Sequence, residues 1–230
     1  MKKIVLVFSV LSIAFSALNA QVSKTLSVTA GGLYRALTNE ERQTITDIVL
    51  TGTIDARDFK TMRDAMPNLA VVDMSRVNIV AFSGTKGTIK DGNTKSANYK
   101  ANEIPQYAFF NPSNLTGSKS LAQIIFPKSL AGIGERAFWK CRQLTEAVIP
   151  ATVTTIGEEA YYDCQNLKSI TVFTTKPITK LGKGIFTAVD PSSCILHVPE
   201  GSLEAYQGAK QWGEFINIQD DVVLKSSDAE

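Results

Sequence analysis

The sequence predicts a solenoid of short parallel strands, one per turn of about 23 residues, with helical N- and C-terminal caps. Three observations predict it. Residues 121–143 read LAQIIFPKSLAGIGERAFWKCRQ and residues 144–166 read LTEAVIPATVTTIGEEAYYDCQN, with seven positions identical in register. Most other positions stay within one chemical class, as in Ile125/Val148, Phe126/Ile149, Leu130/Val153 and Phe138/Tyr161. Weaker copies of the same apolar spacing flank the pair on both sides. One such unit cannot bury its apolar face alone, so a fixed short period implies stacked turns.

Residues 1–20 stand outside this pattern. Lys2 and Lys3 precede the apolar run 4–15, which ends in Ser16-Ala17-Leu18-Asn19-Ala20. That is the layout of a secretory leader cut after Ala20, and the run is too short to span a bilayer comfortably. Export to the periplasm, the cell surface or the medium is the expectation. No cysteine lies near the cut to carry a lipid.

Residues 21–68 read as an N-terminal cap and a first degenerate turn. Leu33, Leu37 and Arg42 fit a helix after Gly31-Gly32. Ile45, Ile48 and Leu50 fit a strand, and 58–66 (DFKTMRDAM) a second helix stopped by Pro67. Residues 69–218 are the solenoid. Leu69, Val72 and Met74 open a strand. An insert near 80–102 follows, polar and glycine-containing, with Asp91-Gly92 as a turn signal. It reads as a protruding loop or hairpin, and equally as a contact site or a solvated spacer. Ile104, Ala108 and Phe109 match the back of a unit, and a smaller insert lies near 111–119.

Within the unit 144–166, the alternation at Ala147 and Ile149 marks a half-buried strand. Pro150 ends it. Val153 and Ile156 form a second inward segment, Gly157 allows a φ other residues resist, and Ala160, Tyr161 and Cys164 line the back. Leu167, Ile170 and Val172, then Leu181, Gly182, Ile185 and Phe186, extend the pattern. The segment 195–199 adds a strand with Leu196 and Val198 inward. Ser202 is a helix N-cap, Leu203, Tyr206 and Ala209 share a face, and Trp212, Phe215 and Ile218 seal the last turn. Residues 219–230 read as a disordered tail. The count is five to six turns.

Composition narrows function. Loss of Lys2 and Lys3 with the leader leaves 22 basic and 22 acidic residues, without a long basic run. Nucleic-acid binding and polybasic membrane docking find no support in that balance. Cys141 and Cys164 share a repeat position one turn apart. A disulfide between stacked strands and a pair of buried thiols both fit. No Cys/His spacing points to a metal, and no cofactor is expected. The single histidine, His197, lies three residues from Cys194, which puts the two on opposite strand faces. Glu158-Glu159 and Asp220-Asp221 lack a fixed separation for acid/base work, and 84–88 lacks the setting of a phosphate loop. No enzyme is expected.

The pattern Leu-x-x-Ile-x-Ile-Pro…Val-x-x-Ile-Gly-x-x-Ala-Phe-x-x-Cys resembles the BspA-like leucine-rich repeat family, exported proteins abundant in gut and oral anaerobic bacteria. The regular match covers 121–186, and a looser one runs from Thr44 to Ile218. The resemblance implies a leucine-rich-repeat solenoid, surface or secreted residence and, in some members, adhesion to host proteins or other bacteria. It brings no catalytic residues.

Binding is therefore sought on the outward strand face. One repeat position reads Val49, Asp73, Ile125, Val148, Thr171, His197. A second reads Asp47, Val71, Gln123, Glu146, Ser169, Ile195. The candidate face is Val49, Asp73, Ile125, Val148, Thr171 and His197 with Gln123, Glu146 and Ser169. Exposed apolar patches mark partner sites, although β-branched residues also simply favour strands. The expected partner is a protein or a cell-surface glycan. The alternatives are an envelope protein without a specific ligand and, last, a hydrolase.

Overall fold

Parallel strands that return at a fixed interval can pair only if the chain circles between them, and this chain does so. The computed structural model describes residues 21–89 and 96–224. The expected leader, the Asp91-Gly92 turn and the final part of the expected tail (225–230) lie outside the described residues.

The first turns are made of strands and helices. β1 (Ser23–Val28) leads through α1 (Leu33–Ala36) and α2 (Asn39–Thr44) to β2 (Asp47–Ile54). α3 (Ala56–Ala65) then returns the chain to β3 (Val71–Ile79). Both longer N-termini are closed by capping boxes, Thr38 with Glu41 and Asp55 with Asp58, as expected where Ser, Thr or Asp precedes an acidic third residue. The 80–102 insert forms an antiparallel hairpin, β4 (Phe82–Gly84) with β5 (Ala97–Tyr99). β6 (Glu103–Ile104) follows, and the smaller insert is a second hairpin, β7 (Phe110–Asn111) with β8 (Thr116–Gly117).

The regular repeats then run β9 (Gln123–Ile125), β10 (Gly132–Ile133), β11 (Glu146–Ile149), β12 (Thr155–Ile156), β13 (Ser169–Val172), β14 (Lys180–Leu181) and β15 (Ile195–Pro199). The chain ends through α4 (Leu203–Gln207), a 3-10 turn at Trp212–Glu214 and β16 (Asn217–Val222).

Two parallel four-stranded sheets, β1-β2-β3-β9 and β11-β13-β15-β16, form the front of the solenoid. They meet where Thr145 N–H donates to Ala122 C=O at 3.3 Å. A third parallel sheet, β14-β12-β10-β6, is built from two-residue strands, one per turn. The core between them is a continuous apolar stack running from Val28 to Phe215. Its centre is a ring column. Phe109 and Phe138 stack at 5.6 Å, Phe138 and Tyr161 at 5.0 Å, and Tyr161 and Phe186 at 5.7 Å. Phe138 and Tyr161 therefore stack as their shared repeat position predicts.

A further set of turn-to-turn bonds holds the back. Phe109 N–H donates to Ala137 C=O, Phe138 N–H to Ala160 C=O and Tyr161 N–H to Ile185 C=O. Between these donors, Tyr107, Arg136 and Glu159 adopt positive φ, as do Lys140 and Asp163. Gly157 does not. A Cβ there would sit 2.4 Å from Glu135 N, and one on Gly134 or Gly182 would meet the preceding turn equally hard. The glycine column exists because backbones touch, not because φ is unusual, which corrects the expectation for Gly157.

Four further expectations change. The front has eight strands rather than five or six, because β1 (SKTLSV) and β16 (NIQDDV) carry few apolar residues and pair through backbone bonds. The strand β16 runs through Val222, so residues 219–222, expected in a disordered tail, are part of a strand. The single helix expected through Leu33, Leu37 and Arg42 is broken at extended Leu37 and Thr38 into α1 and α2, α3 starts two residues before the expected 58, and the outermost elements of the front sheets are β1 and β16. Helices α1 to α4 are return legs inside the terminal turns. The 80–102 insert, finally, is not a free protrusion in its described part. Thr88 is buried and donates to Gln106 C=O, and Arg63 of α3 donates to the carbonyls of Thr88, Tyr107 and Phe110. Backbone acceptors inside the fold need partners, and this one guanidinium satisfies three.

Candidate binding surface

Parallel pairing decides what the outward columns look like. The register places Thr25, Val49, Asp73 and Ile125 side by side on one sheet. Val148, Thr171, His197 and Gln219 align on the other. The second row runs Ser23, Asp47, Val71, Gln123 and then Glu146, Ser169, Ile195, Asn217. All the expected face residues thus share one surface, and all of them reach solvent. Ile125 is 37% exposed. The apolar column is not continuous, however. Asp73 stands between Val49 and Ile125, where it accepts the Ser75 N–H.

At the far end of this face His197 Nδ1 lies 2.9 and 3.0 Å from the two carboxylate oxygens of Asp221. Cys194 is buried on the other side of the strand. The three thiols are free and buried, and burial pushes Cys141 and Cys194 up to about 12 and Cys164 upward as well. A nucleophile needs the opposite shift. Among the described residues no cluster of His, Cys, Asp or Glu is arranged to hold a metal ion. No helix among them is long and apolar enough to cross a membrane.

Among the depressions elsewhere on the described residues, two bear on function. On the back, Tyr107, Phe110, Arg136, Trp139, Glu159 and Tyr162 line a shallow groove whose rim carries Leu115, 60% exposed. Phe110 meets the Trp139 ring edge-on at 4.2 Å, and Trp139 lies 5.5 Å from Tyr162. The sequence held a signal for this column. Phe109-Phe110, Phe138-Trp139 and Tyr161-Tyr162 are paired aromatics at one repeat position, the first ring in the core column and the second lining the groove, where Phe110 is itself buried. The other depression is a cleft between α1, α3 and the β4–β5 hairpin. It is lined by Tyr34, Arg35, Arg57, Lys60, Asp64 and Lys86. Without the fold nothing brings those residues together.

Residues 80–199, more than half of the chain, match the family model described as the BspA type leucine rich repeat region, in six copies. The chain belongs to the BspA-type leucine-rich repeat family. A leucine-rich repeat protein from Bacteroides ovatus ATCC 8483 is similar in structure at 16% identity and a TM-score of 0.42, covering 85% of this chain and 42% of that one. The pneumococcal vaccine antigen PcpA is 16% identical with a TM-score of 0.29, covering 70% of this chain and 36% of its own. The chain thus spans less than half the length of either protein. No curated protein matches it. Leucine-rich repeat proteins mediate protein interactions. The BspA-type match begins at Val80, so it takes in the 80–102 segment that the apolar pattern alone sets aside as an insert.

Proposed function

We propose that this BspA-type chain is an exported, non-catalytic binding protein that docks a macromolecular partner, in adhesin fashion, on the outward strand face. A cell-surface or matrix protein is the partner class that suits it best. One observation carries the reading. Ile125 and Val148 stand on the outer face where the two front sheets meet, and burial in the core does not require either to be apolar. Polar neighbours (Gln123, Glu146, Asp73 and Thr171) surround this pair, the layout of an apolar centre with a polar rim. Export rests on the leader pattern at 1–20.

The test is a pull-down with mature protein against matrix proteins and envelope glycans, followed by affinity measurement. Val148→Glu keeps the fold, because the side chain points outward, and places a charge at the centre of the face. The expected loss is at least about tenfold in affinity, about 1.4 kcal/mol. Unchanged affinity in Val148→Glu, with loss in Trp139→Ala, would move the site to the aromatic groove on the back. A broad screen that returns no partner would favour the envelope protein without a specific ligand.

A further inference from the structure

The cleft on the return legs of the first two turns concentrates positive charge in a protein whose expected mature form is neutral. Arg35, Arg57, Lys60 and Lys86 line it, and Asp64 is the one carboxylate among the lining residues. That carboxylate is already occupied. It accepts from Lys60 at 2.8 Å, from Arg63 at 2.7 and 3.0 Å and from Asn111 at 3.0 Å. Asp55 holds Arg57, and buried Asp58 accepts the backbone N–H groups of Gly31, Leu33 and Asp55. Counting Arg63 and all three carboxylates, the cations are still in excess by two. The excess is also free, because the Arg35 and Lys86 side chains make no hydrogen bond or ion pair with any other described residue.

The fixed members are preorganised. The Arg57 guanidinium is pinned by Asp55 and the Ala30 carbonyl and lies 4.6 Å over the Phe82 ring, yet its side chain remains 38% exposed. The Tyr34 ring rests on the buried Arg42 guanidinium at 3.9 Å. Arg42 is itself held by the carbonyls of Tyr34 and Leu37. Tyr34 is nevertheless 53% exposed, a ring supported on one side and open to solvent. Groups held in place before binding lose little freedom when a ligand arrives.

We propose that this cleft is a second binding site, for an anionic glycan: a sugar chain carrying sulfate or carboxylate groups. The cations meet the anionic substituents, and the Tyr34 ring offers an apolar face to the C–H side of a pyranose. The ring favours a glycan over an acidic peptide, which needs only the charges. A compact cluster, rather than a stripe of basic residues along the molecule, does not suit a nucleic-acid backbone. The site is distinct from the strand face and does not depend on it.

The test uses the full mature chain in isothermal titration with a sulfated heparin oligosaccharide, an oligogalacturonate and a neutral dextran oligosaccharide. Polyglutamate and a single-stranded oligonucleotide serve as competitors of other classes. At least one anionic glycan binds and dextran does not. Arg35→Glu with Lys86→Glu weakens that binding by at least about tenfold, and so does raising salt from about 50 to about 300 mM, because exposed charges are screened. Both side chains are exposed and unpartnered, so the fold is kept. Tyr34→Ala weakens the oligosaccharide several-fold, and Val148→Glu leaves it unchanged. The proposal is overturned if neither anionic glycan binds or if the charge reversals have no effect. It is also overturned if polyglutamate or the oligonucleotide binds as tightly while Tyr34→Ala changes nothing.

Discussion

Cys141, Cys164 and Cys194 behave as small hydrophobes. Each sulfur sits in the apolar stack, and the Cys164 thiol donates to Phe138 C=O at 3.2 Å. Burial disfavours the thiolate, which is the reactive form. Burial pushes Cys141 and Cys194 up to about 12, so the thiol form prevails at pH 8. A thiol-specific disulfide reagent should therefore leave the native protein unlabelled over hours and titrate three thiols in denaturant. One thiol in denaturant would mean that Cys141 and Cys164 are bonded. Tyr161 shows the cost of the same environment for a polar group. Its hydroxyl is buried and has no hydrogen-bond partner among the described residues, while the column neighbours Phe109, Phe138 and Phe186 carry no hydroxyl. The ring stacks on Phe138 and Phe186, while the unpaired hydroxyl costs its desolvation.

At the scale of the element, the turn is defined by how closely successive backbones approach. Gly134, Gly157 and Gly182 stand in one column, and each lies against the backbone of the turn before it. Backbone cannot yield as a long side chain can. Gly157→Ala should therefore destabilise the protein by about 2 kcal/mol or more, by forcing two turns apart. Urea denaturation checks this. A loss within about 0.5 kcal/mol, the size of a surface substitution, would mean that the turns are spaced more widely than described. The helices show a second property of elements. α3 is an ordinary amphipathic helix on its inner side, with Phe59 and Met62 buried. Its outer side presents Arg57, Lys60 and Asp64 at helical spacing, and so a return leg also becomes a wall of the cationic cleft.

For the whole molecule, the ring column makes stability collective. Phe138 is fully buried and touches Phe109, Phe126 and Tyr161, which belong to three different turns. Truncation leaves a cavity in the middle of the stack. Phe138→Ala should cost about 3–5 kcal/mol and lower the thermal midpoint of the entire chain, since each turn is supported by its neighbours. A loss below about 1 kcal/mol in chemical denaturation would show that the column does not carry the fold. Eight stacked strands span about 34 Å at the usual spacing, with Ile125 of β9 and Val148 of β11 at mid-length and the cationic cleft on the return legs near the β1–β3 end. The proposed strand-face site and the proposed cleft use different faces of that length, and one chain has room for both.

The amino-acid order by itself determined the period, the inward residues and the family. Leucine, isoleucine, glycine, alanine and aromatic residues recur at fixed offsets, and burial of those residues can be satisfied only by stacking. The outward columns were also legible, because alternation along a strand assigns every second side chain to solvent. Elsewhere the order was silent for physical reasons. β1 and β16 are strands by backbone pairing with a neighbour rather than by apolar content, so their composition does not announce them. The glycine column answers to contacts between turns, and φ at one residue says nothing of these. Arg63 closes on carbonyls 25, 44 and 47 residues away, and Tyr34, Arg57 and Lys86 meet across three elements. Contacts of that range follow from how the turns stack, and only the tertiary structure decides them.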